Sequence, residues 1–127
     1  MTQARILVVD DDPAVNDLIQ LVLREEGQGW DVSSAKDGEE AIRIVHEELP
    51  DLIILDMMMP RKNGLEVCRH VAGFIPVIMV SGEGDLDIKG RCLDAGAAAF
   101  IPKPFLISEL ISGVKEVLQH KSLTDFI

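Results

Sequence analysis

Three short runs of the sequence are apolar at every position instead of alternating between apolar and polar residues. They are ILVV at 6–9, LIIL at 52–55 and VIMV at 77–80. Strands of this kind are covered on both faces, which is typical of a parallel sheet. Two weaker strand patterns, WDVSSA at 30–35 and AAFI at 98–101, complete a series of five.

Stretches with helical spacing of apolar residues follow these strands. The first carries Val15, Leu18, Ile19, Val22 and Leu23, and the last carries Ile107, Leu110, Ile111, Val114 and Leu118. Strand and helix therefore alternate in five βα units, which are too few for a closed eight-stranded barrel. We predict an α/β fold: a doubly wound, flavodoxin-like sheet of five parallel strands in the order 2-1-3-4-5, with helices on both faces.

The length and composition predict one globular domain over residues 1–120. The chain has 127 residues, 47% of them hydrophobic, which excludes disorder, and no apolar run approaches the roughly 18 residues of a membrane span. Residues 121–127 lose the helical pattern, so they are a frayed tail, a docking segment or the start of a linker. No basic leader precedes the first strand, and we therefore expect a cytoplasmic protein without a membrane segment.

The net charge and the two cysteines exclude some functions. A net charge of −10 and a pI near 4.6 argue against direct binding of nucleic acid, which requires a basic face. The acidity alternatively serves only to keep the domain soluble, and we expect a monomer or a weak dimer. Cys68 and Cys92 match no metal-binding spacing, and we expect both to be reduced core residues.

Polar residues collect at the exits of the predicted strands. Strand 1 ends in Asp10 and Asp11, strand 3 in Asp56 and strand 4 in Ser81, while Lys103 follows strand 5. Three carboxylates about 5 Å apart repel by roughly 3 kcal/mol per pair at an effective dielectric constant of about 20. The lysine offsets part of that repulsion, and Mg²⁺ suits clustered carboxylates. An acidic pocket, a metal ion, a hydroxyl and a lysine together indicate phosphoryl transfer.

Each of these residues has a simpler explanation when it is taken alone. Asp12 before Pro13 is well explained as a helix N-cap, and we assign it no other role. The two preceding aspartates could act on the helix dipole, but one cap does not require two further acids, so metal binding is favoured. Ser81 alone would be an ordinary strand-end serine, and Lys103 a solvated loop lysine. Their common position at the sheet edge is what indicates a site.

The motifs ILVVDDDP, DLIILDMMMPRKNGLEV, VIMVSG and FIPKPF resemble those of the receiver domain of two-component response regulators, the single-domain type of the chemotaxis regulator. The similarity covers about residues 4–120. It implies that Asp56 accepts a phosphoryl group from a phosphohistidine on a sensor histidine kinase or a phosphotransfer protein. It also implies that Asp11, Asp56 and the backbone carbonyl of Met58 bind Mg²⁺ directly, with Asp10 acting through water.

The same resemblance implies roles for residues near the last two strands. Ser81 would donate a hydrogen bond to a phosphoryl oxygen, and Lys103 would pair with the phosphoryl group or Asp56. Phe100 falls at the position of the family's switch aromatic, although it could also be an ordinary core residue. The peptide bond between Lys103 and Pro104 would be cis. The output would be an unknown partner protein or effector domain.

Two segments depart from the family pattern, and a glycine interrupts a helix. The segment EEGQGWDV is slightly longer than the usual turn into strand 2. The segment CRHVAGFIPVI is short for a connection between helix 3 and strand 4, which predicts a truncated third helix. Gly90 interrupts the fourth helix, where a glycine costs about 1 kcal/mol relative to alanine. This glycine fits a marginal, switching helix as well as a simple surface position.

Three functions from different classes remain open at this stage. The first is a switch controlled by phosphorylation, whose output is a change in protein binding. The second is a receiver-like interaction module that works without phosphorylation. The third is a flavodoxin-like cofactor protein, against which the acidic DDDP segment argues, because it would repel a flavin phosphate.

Overall fold

The computed structural model describes residues 3–26, 29–57, 59, 63–82 and 86–125. In this part of the chain, strands and helices alternate as predicted. The elements are β1 (Arg5–Val9), α1 (Pro13–Glu25), β2 (Asp31–Ala35), α2 (Gly38–Glu48), β3 (Leu52–Asp56), α3 (Gly64–Val71), β4 (Val77–Ser81), α4 (Leu86–Asp94), β5 (Ala99–Pro102) and α5 (Ile107–Asp125).

The strands form one parallel sheet in the order β2-β1-β3-β4-β5, which confirms the predicted fold class. The register brings the strand ends to a common edge. Val9 pairs with Ala35 on one side and Leu55 on the other, and Ser81 pairs with Pro102. Residues that follow these pairs therefore emerge at the same carboxyl edge.

The sheet separates two apolar cores, which explains why its strands are apolar throughout. Leu7 and Val9 face a core formed with α2, α3 and α4, whereas Ile6 and Val8 face a core formed with α1 and α5. Every residue of β3 and β4 is buried. Since successive side chains point to opposite faces of a strand, both faces must be apolar here.

The helix starts and the cysteines agree with the sequence-based expectations. Asp12 is the N-cap of α1, with its side chain accepting a hydrogen bond from the Ala14 amide at 3.0 Å, and Pro13 is the first helical residue. Cys68 and Cys92 are free and buried. Burial raises the pKa of the Cys68 thiol to about 11, so the thiol stays protonated and unreactive near neutral pH.

The third and fourth helices also match the predicted departures. Helix α3 has only eight residues and begins at Gly64, which confirms the truncation. Gly90 lies exposed within α4, and a Cβ added there would meet no atom within 4 Å. The structure therefore requires no glycine at position 90.

The last helix differs from the sequence-based expectation. Helix α5 continues to Asp125, beyond Gln119, where the apolar pattern stops. No glycine or proline follows Gly113 in this helix, so helix propensity carries it past Gln119. None of the helices in the described ranges is both long and apolar enough to cross a membrane.

Candidate functional site

Three aspartates converge at the carboxyl ends of β1 and β3. Asp10 and Asp11 directly follow β1, and Asp56 is the last residue of β3. One carboxylate oxygen from each lies within 4.8 Å of the others. Asp10 and Asp56 are buried, with 4% and 7% exposure, whereas Asp11 is exposed. Among the described residues, no other three His, Cys, Asp or Glu side chains are placed in this way.

Lys103 brings a positive charge to this acid cluster. Its Nζ lies 3.3 Å from Oδ2 of Asp10 and 3.5 Å from Oδ1 of Asp56. The Lys103 amide donates a hydrogen bond to the carbonyl oxygen of Ser81 at 2.7 Å, and the Lys103–Pro104 bond is cis, as the resemblance implied. With all four groups ionised, one ammonium group and three carboxylates give the cluster a net charge of −2.

The donor set of the cluster fits Mg²⁺. This ion prefers hard oxygen ligands at about 2.1 Å in octahedral geometry, which places opposite ligands about 4.2 Å apart. Oxygens that already lie within 4.8 Å of one another could hold such an ion after small side-chain movements or through bridging water. Met58, whose carbonyl the resemblance also implicates, lies outside the described residues.

Ser81 and Phe100 lie beside the cluster on neighbouring strands. Ser81 ends β4 and is fully buried. Phe100 pairs in register with Met79, is partly buried and packs against the core on the side of α2, α3 and α4. Because Ser81 is two residues after Met79, the side chains of Ser81 and Phe100 lie on the same face of the sheet.

Two residues that the sequence analysis did not assign to the site also contact its backbone. Asn16 is a buried polar residue on α1, and Gly64 lies so close to β3 that an added Cβ would be 2.5 Å from the carbonyl oxygen of Asp56. A sequence signal existed for the asparagine, because position 16 lies on the same helix face as the apolar residues Ile19 and Leu23 but is polar. For the glycine, the NG dipeptide indicates only the start of a helix and does not predict this close contact.

Comparison with known families identifies the fold and its class of function. The chain matches the model of the response regulator receiver domain over residues 6–115. It belongs to this family. The match confirms the resemblance drawn from the four motifs, and it favours a receiver over a flavodoxin-like cofactor protein. A receiver domain is a signalling switch in two-component systems.

Named relatives and solved structures agree with this assignment. Response regulator MprA of Mycobacterium ulcerans is 38% identical over 124 residues, which are 95% of this chain and 53% of the relative. The chain therefore spans about half the length of the curated relatives that it matches. A CheY-like receiver domain from Methanospirillum hungatei superimposes with a TM-score of 0.90 at 30% identity, covering 97% of this chain and 99% of the other.

A second receiver domain gives the same result. The receiver domain of the Francisella response regulator 1452 has a TM-score of 0.85 at 30% identity and covers 94% of this chain and 99% of that one. Both solved structures thus share the architecture of this receiver over nearly its whole length.

Proposed function

We propose that this receiver domain accepts a phosphoryl group on Asp56, in a Mg²⁺-dependent transfer from a phosphohistidine of a sensor histidine kinase or a phosphotransfer protein. The observation that carries the proposal is the surroundings of Asp56. Its carboxylate lies at a buried strand end, beside two further aspartates and 3.5 Å from the Lys103 amine. Attack by a carboxylate on a phosphoryl group depends mainly on positioning and charge neutralisation, which these neighbours supply.

The chemical step needs no other nucleophile from the protein. An oxygen of Asp56 forms the new bond to phosphorus while the P–N bond of the donor breaks. The donor imidazole leaves with the electron pair of that bond. The resulting acyl phosphate then occupies the edge of the sheet between β1 and β4.

The neighbouring acids would hold the cation. Asp11, Asp56 and the carbonyl of Met58 are the direct ligands in this proposal, and Asp10 acts through water. Oδ1 of Asp10 accepts a hydrogen bond from the Asp12 amide at 2.9 Å, and its Oδ2 faces Lys103, which supports an indirect role. When bound, Mg²⁺ neutralises charge on the phosphoryl oxygens.

The remaining site residues would interact with the new phosphoryl group. Lys103 pairs with the phosphoryl group, and the hydroxyl of Ser81 donates a hydrogen bond to one of its oxygens. Phe100 lies on the same sheet face as Ser81, so a movement of the serine toward phosphate opens space for a movement of the ring. These contacts make the phosphoryl group interact differently with the two arrangements of Ser81 and Phe100, and any population shift requires such a difference.

The output of the switch is a change in binding to an unknown partner protein or an attached effector domain. The domain is cytoplasmic and acts as a signalling switch rather than as a turnover enzyme. Its charge of −10 argues against direct contact with nucleic acid, and it works as a monomer or a weak dimer.

Phosphorylation with a small donor tests the assignment. With acetyl phosphate and Mg²⁺, the intact mass should increase by one phosphoryl group, whereas Asp56→Asn should show no increase. Asp51→Asn is the matched control, because Asp51 precedes the same strand at its opposite end and should leave labelling unchanged. Undiminished labelling of Asp56→Asn would overturn the proposal.

A further inference from the structure

A buried asparagine joins the carboxyl ends of β1 and β2. The side-chain amide of Asn16 donates hydrogen bonds to the carbonyl oxygens of Asp10, at 3.0 Å, and of Ala35, at 3.2 Å. The register between the two strands ends at Val9 and Ala35, so this amide continues the connection one residue past the ladder. Asn16 is only 6% exposed and belongs to α1.

An apolar residue would otherwise be expected at this position. Ile19 and Leu23 are buried on the same face of α1, three and seven residues further on. Replacing the asparagine by leucine would leave two carbonyl groups without this donor, and a buried acceptor without a partner is destabilising. The amide is suited to the position because its two N–H bonds can serve two acceptors.

The orientation of the amide is fixed by further side chains along α1. Its oxygen accepts a hydrogen bond from Nε2 of Gln20 at 2.7 Å. Arg24 donates to the Gln20 oxygen at 3.2 Å and to the carbonyl oxygen of Val32 at 3.0 Å. These side chains are four residues apart, so they follow one face of the helix. The network thus runs from the acid cluster to the start of β2.

The main chain held by Asn16 carries the acid pair. Asp10 is bound at its carbonyl oxygen by this asparagine, and one carboxylate oxygen accepts from the Asp12 amide at 2.9 Å. The other faces Lys103. Asp11 lies between Asp10 and Asp12, so these hydrogen bonds also place its main chain.

We propose that Asn16 is a positioning residue of the acid cluster. It touches neither the cation nor the phosphoryl group. Its amide fixes the backbone of Asp10 against β2, and thereby sets the carboxylates of Asp10 and Asp11 for divalent cation binding beside Asp56. The inference rests on the proposed function, since it assigns the residue to the same site.

The test is a calorimetric Mg²⁺ titration of the full chain and of Asn16→Leu. Loss of the hydrogen bonds to the strand ends should weaken Mg²⁺ binding about three- to tenfold, the equivalent of roughly one hydrogen bond. Ile19→Val is the control on the same buried face. It should lower the melting temperature, because it removes a buried methyl group, and leave the Kd for Mg²⁺ unchanged.

A second variant keeps the inference testable if Asn16→Leu does not fold. Gln20→Met removes the donor that orients the Asn16 amide and leaves the asparagine in place, so Mg²⁺ affinity should fall about twofold. A folded Asn16→Leu, or failing that a Gln20→Met, with the affinity of the unmodified protein overturns the positioning role. If the unmodified protein itself binds no Mg²⁺, the proposed function fails together with this inference, and that result is distinct from an unaffected variant.

Discussion

A basic side chain lies among acidic residues at both ends of the sheet, but these side chains are buried to different degrees. At the amino end, the main-chain amide of Arg5 donates a hydrogen bond to Oδ2 of Asp51 at 2.8 Å. The Arg5 guanidinium donates a hydrogen bond to the carbonyl oxygen of Glu48 at 2.7 Å. The Arg5 and Glu48 side chains are 46% and 49% exposed. At the carboxyl end, the side chain of Lys103 is 26% exposed and faces Asp10 and Asp56, whose side chains taken without the main chain are 3% and 8% exposed.

This difference fits an amino end that contributes to stability and a carboxyl end that has the binding role proposed above. Water screens the charges of the exposed side chains at the amino end. The hydrogen bonds at that end involve defined backbone groups, so each acid there either adds to the stability of the fold or has no net effect on it. At the carboxyl end, three carboxylates share one ammonium group in a partly buried position. We expect their mutual repulsion to lower the stability of the metal-free protein, and a divalent cation bound as proposed would relieve it. Sites of this kind commonly reduce stability for the sake of function.

The largest expected effect comes from the closest packing at the carboxyl end. In Gly64→Ala, the new Cβ would lie 2.5 Å from the Asp56 carbonyl oxygen and 2.6 Å from the Met57 Cα, both of them backbone atoms. The β3–α3 connection must therefore shift, with an expected loss of about 3 kcal/mol in the free energy of unfolding and impaired phosphorylation of Asp56. Urea unfolding and acetyl phosphate labelling measure the two effects.

Gly90→Ala is the control for a glycine in open space. It should raise the free energy of unfolding by up to about 1 kcal/mol, because it removes a glycine from an exposed helix position where nothing obstructs the new methyl group. Equal stability changes in the two variants would show that the carboxyl end is no more tightly packed than the surface of α4.

An acid-to-amide exchange should have opposite signs at the two ends. Without metal, Asp11→Asn should raise the free energy of unfolding by about 1 kcal/mol, because it removes one repelling charge. Asp51→Asn should lower it by about 1 kcal/mol, because it weakens the charged acceptor of the Arg5 amide. Urea unfolding in the presence of a chelator measures both.

Addition of Mg²⁺ sharpens the same comparison. A ligand that binds only the folded state stabilises it by mass action, so the unmodified protein and Asp51→Asn should both melt at a higher temperature with Mg²⁺. Asp11→Asn should lose most of this shift. If Asp11→Asn is destabilised without metal and keeps its full Mg²⁺ response, the carboxyl end is not the strained metal site described above.

Features that depend on local sequence were predictable, and those that depend on three-dimensional approach were not. The apolar runs of β1, β3 and β4 and the polar residues at their exits are contiguous in the sequence, so the sheet edge and its aspartates could be predicted. The two backbone acceptors of Asn16 lie six and nineteen residues away, Asp10 directly after β1 and Ala35 at the end of β2. The contact that requires Gly64 depends on how α3 approaches β3, which the NG dipeptide does not encode.

The left-handed conformation at the end of α2 was equally unpredictable. Pro50 marks the end of the helix, but a leucine carries no signal for a positive φ. Leu49 closes this helix with φ 46° and ψ 65°, and its side chain lies 59% exposed. Its amide donates to the carbonyl oxygen of Val45 at 3.0 Å, so the position acts as a helix cap. The backbone strain here is confined to one residue at the amino end, unlike the shared repulsion at the carboxyl end.

The smallest expected effect is therefore relief of this strain. Leu49→Gly should raise the free energy of unfolding by about 0.5 kcal/mol, since glycine adopts a positive φ readily and the leucine side chain buries little surface. Ala72→Gly is the matched control, because this residue caps α3 with φ −61° and glycine there should cost about 0.5–1 kcal/mol. Phosphorylation should be unchanged by Leu49→Gly, since the cap lies at the opposite end of the sheet from Asp56. Destabilisation by both glycines alike would mean that Leu49 is not strained, and a loss of labelling would mean that the two ends are coupled.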